Sequence, residues 1–260
     1  MSVNEKNLIR YAFPENAPFD GVVAAFTVRN LNTGLHTGDD PVNVLQNRTR
    51  IFHELGLDPD SFTAAQQVHG DHIARITPKE RGRGAQSHDD ALPATDALIT
   101  DVPGVPIGVF TADCVPVFLY DPTRRAIGIV HAGWRSAALA IVAKTIDKMK
   151  SELRAEPARM WAALGPSIGP CCYEVGSDVY ERFSSRFPYG RSLFRNTGSE
   201  KWHLDLWLAN RRQLLDSGIR DEMILNPQIC SACNSDLYFS ARKHGPRAGR
   251  TLSVIAIKET

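Results

Sequence analysis

Residues 97–135 read ALITDVPGVPIGVFTADCVPVFLYDPTRRAIGIVHAGWR and decide the fold class of this 260-residue chain. This stretch contains short β-rich runs in quick succession, separated by Pro, Gly and Asp turn signals. The pattern predicts strands over 97–100, 105–110, 115–120 and 126–130. Because the runs follow one another so closely, we expect them to be neighbouring strands of one sheet.

Helices are predicted on the C-terminal side of these strands. Ser136 can cap a long helix over AALAIVAKTIDKMKSELRAE, whose apolar spacing is helical and which ends before Pro157. Further helices are predicted over 177–187 and 204–215, and further strands over 160–164, 223–229, 237–241 and 252–257. The order is too irregular for a doubly wound fold. We therefore predict an α+β fold, a single domain over 1–260 with a mixed β-sheet core flanked by helices.

Composition and charge exclude several classes of partner. The chain has 30 basic and 29 acidic residues, so no global field attracts nucleic acid or an anionic membrane. The first 20 residues contain no uninterrupted apolar segment typical of a secretory signal, and no run of roughly 18 apolar residues occurs. Five cysteines are an odd number, with Cys171 and Cys172 adjacent, which is a poor disulfide framework. We expect a soluble, cytoplasmic protein; the oligomeric state is not predicted.

Three short segments each place a potential metal ligand beside turn residues, at a strand end or in a loop. The segments are QVHG (67–70), TADC (111–114) and HAGWR (131–135), and the ligands are His69, Cys114 and His131. Two imidazoles and one thiolate fill three corners of a zinc tetrahedron and leave the fourth for water or substrate, as in catalytic sites. The alternative is two packed histidines and a small buried thiol, and spacing alone leaves both open.

The sequence resembles a known family, the purine nucleoside phosphorylase family long called laccase-domain or multicopper polyphenol oxidoreductase proteins. The matching segments are collinear and extend from about residue 26 to the C-terminus. They are GLHTGDDPVNVLQNR (34–48), QVHG (67–70), TDALIT (95–100), TADCVPVFLYDP (111–122), IGIVHAGWR (127–135), GPSIGPCCYEVG (165–176) and YFSARKHG with a later GR (238–250).

The resemblance implies an α+β domain with zinc bound by His69, Cys114 and His131, although copper is possible. It also implies two reactions on purine nucleosides. The first is phosphorolysis of adenosine, inosine and S-methyl-5'-thioadenosine to the free base and ribose 1-phosphate. The second is deamination of adenosine to inosine. The implied partners are purine nucleosides and phosphate, with no nucleic acid and no membrane.

Deamination needs a proton carrier, because zinc would activate water for attack at C6 of adenine. Asp113, adjacent to Cys114, and Glu174 are the candidates for this catalytic role. Asp113 could instead orient a histidine ligand through a hydrogen bond. Glu174 could instead be structural or contact the ribose.

Phosphorolysis needs an anion site. Arg135 lies just ahead of the predicted long helix, so its guanidinium, backbone donors and a helix N-terminus could bind phosphate together. Arg135 could equally be a solvated or ion-paired helix residue. Arg29 and Arg242 are further candidates for substrate binding, and Tyr173 could stack on a base. The segment around Arg29 departs from the family pattern, and Arg242-Lys243 replaces the double arginine of many relatives.

The same residues are compatible with two rival functions. A copper-dependent polyphenol oxidase of the multicopper type needs many imidazoles, typically in His-x-His pairs, but the chain has eight histidines and no such pair. Polyphenol oxidation at a single copper stays open as an alternative. A metal-free cysteine hydrolase would use Cys114 as nucleophile and His131 as base. Cys230 and Cys233 form a lone CxxC without a second pair at ribbon spacing, so a structural zinc ribbon is not expected there.

Overall fold

The computed structural model describes residues 8–10, 21–198 and 200–259. The segment on which the absence of a secretory signal was predicted lies mostly outside the described residues. The strands are β1 (Leu8–Arg10), β2 (Val22–Thr27), β3 (Ile73–Arg75), β4 (Ala97–Thr100), β5 (Ile107–Thr111), β6 (Val115–Asp121), β7 (Ala126–Ala132), β8 (Trp161–Leu164), β9 (Glu174–Val175), β10 (Phe194–Gly198), β11 (Lys201–Leu204), β12 (Ile224–Leu225) and β13 (Thr251–Ile257). The helices are α1 (Pro41–Leu55), α2 (Trp134–Ala138), α3 (Ile141–Leu153), α4 (Ser177–Arg186), α5 (Leu206–Asp216) and α6 (Ala241–His244).

A six-stranded mixed sheet forms the centre of the molecule, in the order β12-β8-β6-β7-β4-β3. Its two outer pairs, β12 with β8 and β3 with β4, are parallel, and the inner pairs are antiparallel. All seven residues of β6 and all seven of β7 are buried. Such continuous apolar strands are typical of a sheet that is covered on both faces.

Two further layers explain this burial. On one face, Val115, Val117 and Leu119 pack against the apolar side of α3. On the other face, Phe118 and Tyr120 pack against the four-stranded antiparallel sheet β1-β2-β13-β5. The outer face of that second sheet is covered by α1. Together with the small sheet β10-β11-β9, this arrangement confirms the predicted α+β class with a mixed-sheet core.

The prediction that the four strands of residues 97–130 share one sheet is wrong for one of them. β4, β6 and β7 lie in the six-stranded sheet, but β5 pairs with β13 in the other sheet. The chain changes sheet at the turn between β5 and β6, where Asp113 has a φ of 90°. Both sheets bury both faces of these strands, so the apolar pattern of β5 does not distinguish between them.

The single long helix predicted from Ser136 is also wrong, because two helices occur there. α2 begins after Gly133 and ends at Ala138, and α3 begins after Ala140, which has a φ of 61°. The carbonyl of Ala137 accepts a hydrogen bond of 2.9 Å from the Gln213 side-chain amide, and a second of 3.0 Å from Ala140 N–H. This carbonyl is therefore not available to continue the helical ladder.

The strand predicted over 237–241 is absent. The segment is a turn in which Tyr238 N–H donates to the Asn234 carbonyl, and it leads into α6. The Ser240 side chain caps α6 by accepting from Lys243 N–H, so the polar residue starts a helix where the apolar neighbours indicated a strand. Among the described residues, no helix is both long and apolar enough to cross a bilayer.

Candidate metal centre and active site

The structure brings the three predicted ligands together at one end of the central strands. Cys114 directly precedes β6, and His131 is the second-last residue of β7, so the antiparallel pairing of Pro116 with His131 places both at the same sheet edge. The Cys114 Sγ lies 3.7 Å from His69 Nε2, and the two imidazole centroids are 4.8 Å apart. The ligand atoms all lie within 4.8 Å of one another.

The loop that carries His69 is fixed by hydrogen bonds to its backbone. The Asp96 carboxylate accepts from the N–H groups of Val68, His69 and Gly70 at 3.2, 3.0 and 2.7 Å. The Gln67 side-chain amide pairs in both directions with the backbone of Phe110, at the end of β5. These contacts hold His69 in the left-handed region, with a φ of 60°.

Asp96 also orients the second histidine. Its Oδ1 lies 2.8 Å from Nδ1 of His131, which leaves Nε2 of that ring for a metal. The carboxylate is fully buried. Sequence reasoning missed this residue and considered Asp113 for the histidine-orienting role. The available signal was an aspartate directly ahead of the apolar run of β4, inside the matched segment TDALIT.

Gly133 gives the ligands the space they occupy. A Cβ at this position would lie 2.8 Å from Cys114 Sγ and 2.9 Å from His69 Cδ2, both closer than real Cβ contacts. The backbone of the HAGWR segment therefore passes directly beside the ligand atoms. This close approach explains why a glycine follows the His131-Ala132 pair.

The metal-free ligands form a charged pair. Burial raises the pKa of Cys114, but the positive charge and hydrogen bonds of His131 and His69 outweigh it and lower this pKa to about 6. Burial lowers the pKa of His131, but the Cys114 thiolate and the Asp96 hydrogen bond raise it to about 9. At neutral pH these shifts favour a thiolate at Cys114 and a proton on His131, and a metal has to displace that proton.

The donor set fits a transition metal with one open position. One thiolate and two imidazoles are ligands that zinc prefers, and the orienting carboxylate is the usual second partner of a metal-bound histidine. Three protein ligands leave a fourth position for water or substrate. The same three donors also suit copper, so the geometry alone does not select the metal.

Asp113 ties three segments together beside the ligands. Its Oδ1 accepts from the Ser231 hydroxyl at 2.6 Å, and its Oδ2 accepts from Arg242 N–H at 2.7 Å. Its backbone carbonyl accepts from Ile168 N–H at 2.8 Å. The carboxylate thus fixes the loop before α6 to the turn that carries Cys114.

Aromatic and basic side chains surround this turn. The Arg242 guanidinium lies over the Tyr173 ring at 5.4 Å and donates to the backbone carbonyls of Cys172 and Glu174. Burial raises the pKa of Tyr173, and the nearby Cys114 thiolate raises it further. The charges of Arg242 and Arg135 lower the pKa of Tyr173, so both guanidinium groups lie within electrostatic reach of this ring.

Arg250 is a basic residue near the centre that the sequence predictions did not name, although it lies in the matched GR segment. Burial lowers the pKa of Arg250, whereas the charges of Cys114 and Asp113 raise it. Its backbone N–H is fixed by Asn32 Oδ1 at 2.8 Å. The GR segment alone gave no reason to place this arginine near the centre. Its proximity to Cys114 depends on β13 lying in the sheet beside β5.

The remaining predicted residues have other contacts. The Arg29 guanidinium donates to the Ser235 carbonyl at 2.7 Å, and its backbone N–H donates to the Leu237 carbonyl. The exposed Glu174 carboxylate lies 3.9 Å from the Lys201 ammonium. These contacts place both side chains in surface interactions.

The profile of the family described as "Multi-copper polyphenol oxidoreductase laccase" matches residues 20–258. The chain belongs to this laccase family. It is 36% identical to purine nucleoside phosphorylase YlmD of Geobacillus stearothermophilus over 253 residues, 93% of this chain and 92% of that protein. It is also 36% identical over 232 residues to adenosine deaminase RL5 of an unknown prokaryotic organism, 87% of this chain and 88% of that protein.

A solved laccase-family structure has the same fold. The crystal structure of YlmD from Geobacillus stearothermophilus superposes with a TM-score of 0.94 at 34% identity, over 99% of this chain and 98% of that one. The resemblance predicted from the sequence motifs is therefore confirmed. The predicted enzyme class, purine nucleoside phosphorylase or adenosine deaminase, is the class to which these relatives are assigned by name.

Proposed function

We propose that the chain is a zinc-dependent purine nucleoside enzyme, and that residues 1–260 act as one domain. It phosphorolyses adenosine, inosine and S-methyl-5'-thioadenosine and deaminates adenosine to inosine. The observation that carries the proposal is the open three-ligand centre in a chain whose relatives are named for these reactions. We also propose a cytoplasmic location, in keeping with five cysteines that form no disulfide.

The three ligands fit zinc, which supplies a Lewis acid when bound. The chain's own residues then fix the reacting geometry. Asp96 holds the His131 ring through Nδ1 and the His69 loop through its backbone, which fixes the orientation of the ring and the position of the loop. Tyr173, whose pKa is raised by burial, stays neutral, and we assign its ring, beside the Arg242 guanidinium, the stacking contact with the purine.

The basic side chains beside the centre supply the anion site. In phosphorolysis a phosphate oxygen bonds to C1′ of the ribose while the bond from C1′ to the purine nitrogen breaks, and the base leaves with a proton. Arg242 lies over the Tyr173 ring, and Arg135 lies within electrostatic reach of the same ring. Arg250 lies within electrostatic reach of Cys114 and Asp113. We assign phosphate binding to these arginines, because one guanidinium group can bind two phosphate oxygens through two parallel N–H···O hydrogen bonds. The predicted helix N-terminus contributes less than expected, since α2 has only five residues.

For deamination, a water oxygen bonds to C6 and ammonia leaves, so a proton must be carried between them. Asp113 is the nearest carboxylate in sequence to the ligands, but both of its oxygens accept hydrogen bonds. We therefore assign Asp113 a positioning role and propose proton transfer as a secondary one. A shifted pH profile of deamination in Asp113→Asn, with unchanged metal content, would support proton transfer.

Product analysis tests the proposal. The purified protein with quantified metal is incubated with adenosine and phosphate, beside Cys114→Ala and a control, His53→Ala, which changes an exposed histidine of α1 outside the centre. We expect adenine with ribose 1-phosphate, or inosine, and loss of these products together with one metal ion in Cys114→Ala alone. If no product forms while the centre holds stoichiometric zinc, the nucleoside assignment is wrong.

A metal-free cysteine hydrolase is the second candidate, and one observation favours it. The pKa of Cys114 is lowered to about 6 and that of His131 is raised to about 9, which makes a thiolate–imidazolium pair typical of cysteine nucleophiles. Chelation separates the two functions. Activity that survives removal of the metal, and that iodoacetamide abolishes at Cys114, would establish the hydrolase.

A further inference from the structure

Four of the five cysteines form a second cluster, outside the centre that contains Cys114. Two of them lie in the loop after β8, and two lie in the turns after β12. Their Sγ atoms all lie within 4.8 Å of one another. The members of this thiol cluster are Cys171, Cys172, Cys230 and Cys233.

The sulfur separations match a metal site and not a disulfide. The Cys233 Sγ lies 3.5 Å from that of Cys171 and 3.4 Å from that of Cys172. A disulfide requires about 2.05 Å. In a zinc–thiolate tetrahedron with Zn–S bonds of about 2.3 Å, neighbouring sulfurs are about 3.8 Å apart. These two separations are therefore within a few tenths of an ångström of the spacing that thiolates adopt around one zinc ion, and the remaining sulfurs lie no more than 4.8 Å apart.

Backbone groups are already aimed at one of these sulfurs. Gly169 N–H donates to the Cys230 Sγ at 3.3 Å, and the backbone N–H of Cys233 is also directed to it. Hydrogen bonds from amides stabilise the thiolate form, which is the form that binds metal. The two segments are held side by side by main-chain hydrogen bonds, from Ser167 N–H to the Ile229 carbonyl and from Ser231 N–H to the Ser167 carbonyl.

We propose that the thiol cluster binds one zinc ion as a structural site, separate from the His69, Cys114 and His131 centre. Four thiolates complete the tetrahedron and leave no position for water or substrate, which is the pattern of a structural zinc site. Soft sulfur donors select zinc over magnesium or calcium. Binding releases the thiol protons, so affinity increases with pH.

The position of the site gives it a role. One of its loops carries Tyr173 and Glu174, and the other leads through Ser231 to α6 and Arg242. The Arg242 guanidinium donates to the Cys172 carbonyl at 3.3 Å and to the Glu174 carbonyl at 3.0 Å. A metal ion that joins these loops therefore holds the residues assigned to base stacking and phosphate binding. The sequence analysis considered Cys230 and Cys233 without the adjacent pair Cys171 and Cys172. That pair lies about 60 residues earlier in the chain, which is not the spacing of a zinc ribbon.

Metal counting on four proteins tests the site. The proteins are wild type, Cys114→Ser, Cys233→Ser and the double variant, each purified with a thiol reductant and without chelator. The expected zinc contents per chain are two, one, one and none. Cys233 is exposed, so serine is expected to fold there; Cys171→Ser, also at an exposed position, is the second variant and should lose the same ion.

Cobalt substitution identifies the ligands independently of nucleoside activity. The ion bound by Cys114→Ser should show the strong sulfur-to-cobalt absorption of four thiolates, and the ion bound by Cys233→Ser should show the weaker absorption of one. The thermal midpoint of Cys114→Ser should fall on chelation, whereas that of the double variant should not change. One zinc ion in wild type, absent in Cys114→Ser, would overturn the proposal. Iron in the cluster, or a disulfide detected as missing thiols after denaturation, would overturn it as well.

Discussion

The two groups of side chains that could hold a metal ion differ in what keeps them in place. At the centre, Cys114 and His131 adjoin fully buried strands, and a buried carboxylate orients the His131 ring. In the thiol cluster the ligands lie on loops and turns, and Cys171 and Cys233 are exposed. The centre has three protein ligands and the cluster has four.

The fold itself holds the ligands of the centre in place, whereas a bound metal would help to hold the loops of the thiol cluster. The centre is supported by packing and by hydrogen bonds from Asp96, so we expect its geometry to depend little on metal, and three ligands leave a position for chemistry. The thiol cluster lacks such support at its exposed members, so a metal would contribute directly to the order of its loops. Removing metal should therefore abolish activity at the centre and loosen structure at the cluster.

The largest expected effect comes from removing a ligand of the centre. His131→Ala should lower nucleoside turnover more than about 1,000-fold, corresponding to about 4 kcal/mol of transition-state stabilisation, because metal catalysis contributes several kcal/mol. Zinc content should fall by one ion, and the cobalt spectrum of the thiol cluster should remain. His53→Ala, at an exposed position in α1, is the control. Loss of both ions would show that the two sites are not independent.

The next effect tests the support beneath the centre. Asp96→Asn removes the charge that faces His131 Nδ1 and places an amide group opposite three backbone N–H donors. Metal affinity at the centre should fall about 10–100-fold, as is usual when a partner of a ligating histidine is lost. Competition with a chelator measures the metal affinity of the centre. Asp101→Asn is the control, because Asp101 is a partly exposed ion-pair partner of Arg75. Unchanged affinity would contradict the role assigned to Asp96.

The pH dependence of metal binding sharpens the same comparison. The raised pKa of His131, about 9, means that a proton occupies the ring at neutral pH and competes with the metal, whereas Cys114, with a pKa of about 6, is already a thiolate. Between these values each ion displaces one proton, so affinity should rise about tenfold per pH unit and level off above pH 9. Calorimetric titration of Cys233→Ser with zinc, in buffers of different ionisation enthalpy, gives the number of protons that each bound ion displaces. Affinity that is independent of pH from 7 to 9 would show a neutral His131.

The sequence predicted the ligands of the centre but not the thiol cluster, and the reason is distance along the chain. His69, Cys114 and His131 each lie in a short motif of the family, so the resemblance named them one by one. The cysteines of the cluster meet only because the loop after β8 pairs with the turns after β12, through the contact of Ser167 with Cys230. No local spacing encodes that contact.

The fold shows the same limit. Apolar periodicity predicted the strands of residues 97–132 and the later helices to within a few residues, because burial on one or both faces is a local property. It did not predict that β5 joins a different sheet from β6, since that depends on pairing with β13 at the far end of the sequence. It also did not predict the helix break at Ala140. There the Ala137 carbonyl accepts a hydrogen bond from Gln213 on α5, a contact that local periodicity does not encode.

The smallest expected effect tests whether the loop of the thiol cluster enters the chemistry directly. Proton transfer by Glu174 stays a prediction; its exposed carboxylate lies 3.9 Å from Lys201, and its backbone carbonyl accepts from Arg242. Glu174→Gln keeps that backbone contact and removes only a surface ion pair, which contributes about 0–1 kcal/mol. Turnover of Glu174→Gln should therefore change less than about twofold. Arg242→Ala removes the guanidinium from Tyr173 and should raise KM for phosphate about tenfold, corresponding to a lost charge-assisted contact. A tenfold loss of deamination in Glu174→Gln, with unchanged phosphorolysis, would make this carboxylate the proton carrier and the loop itself part of the catalytic machinery.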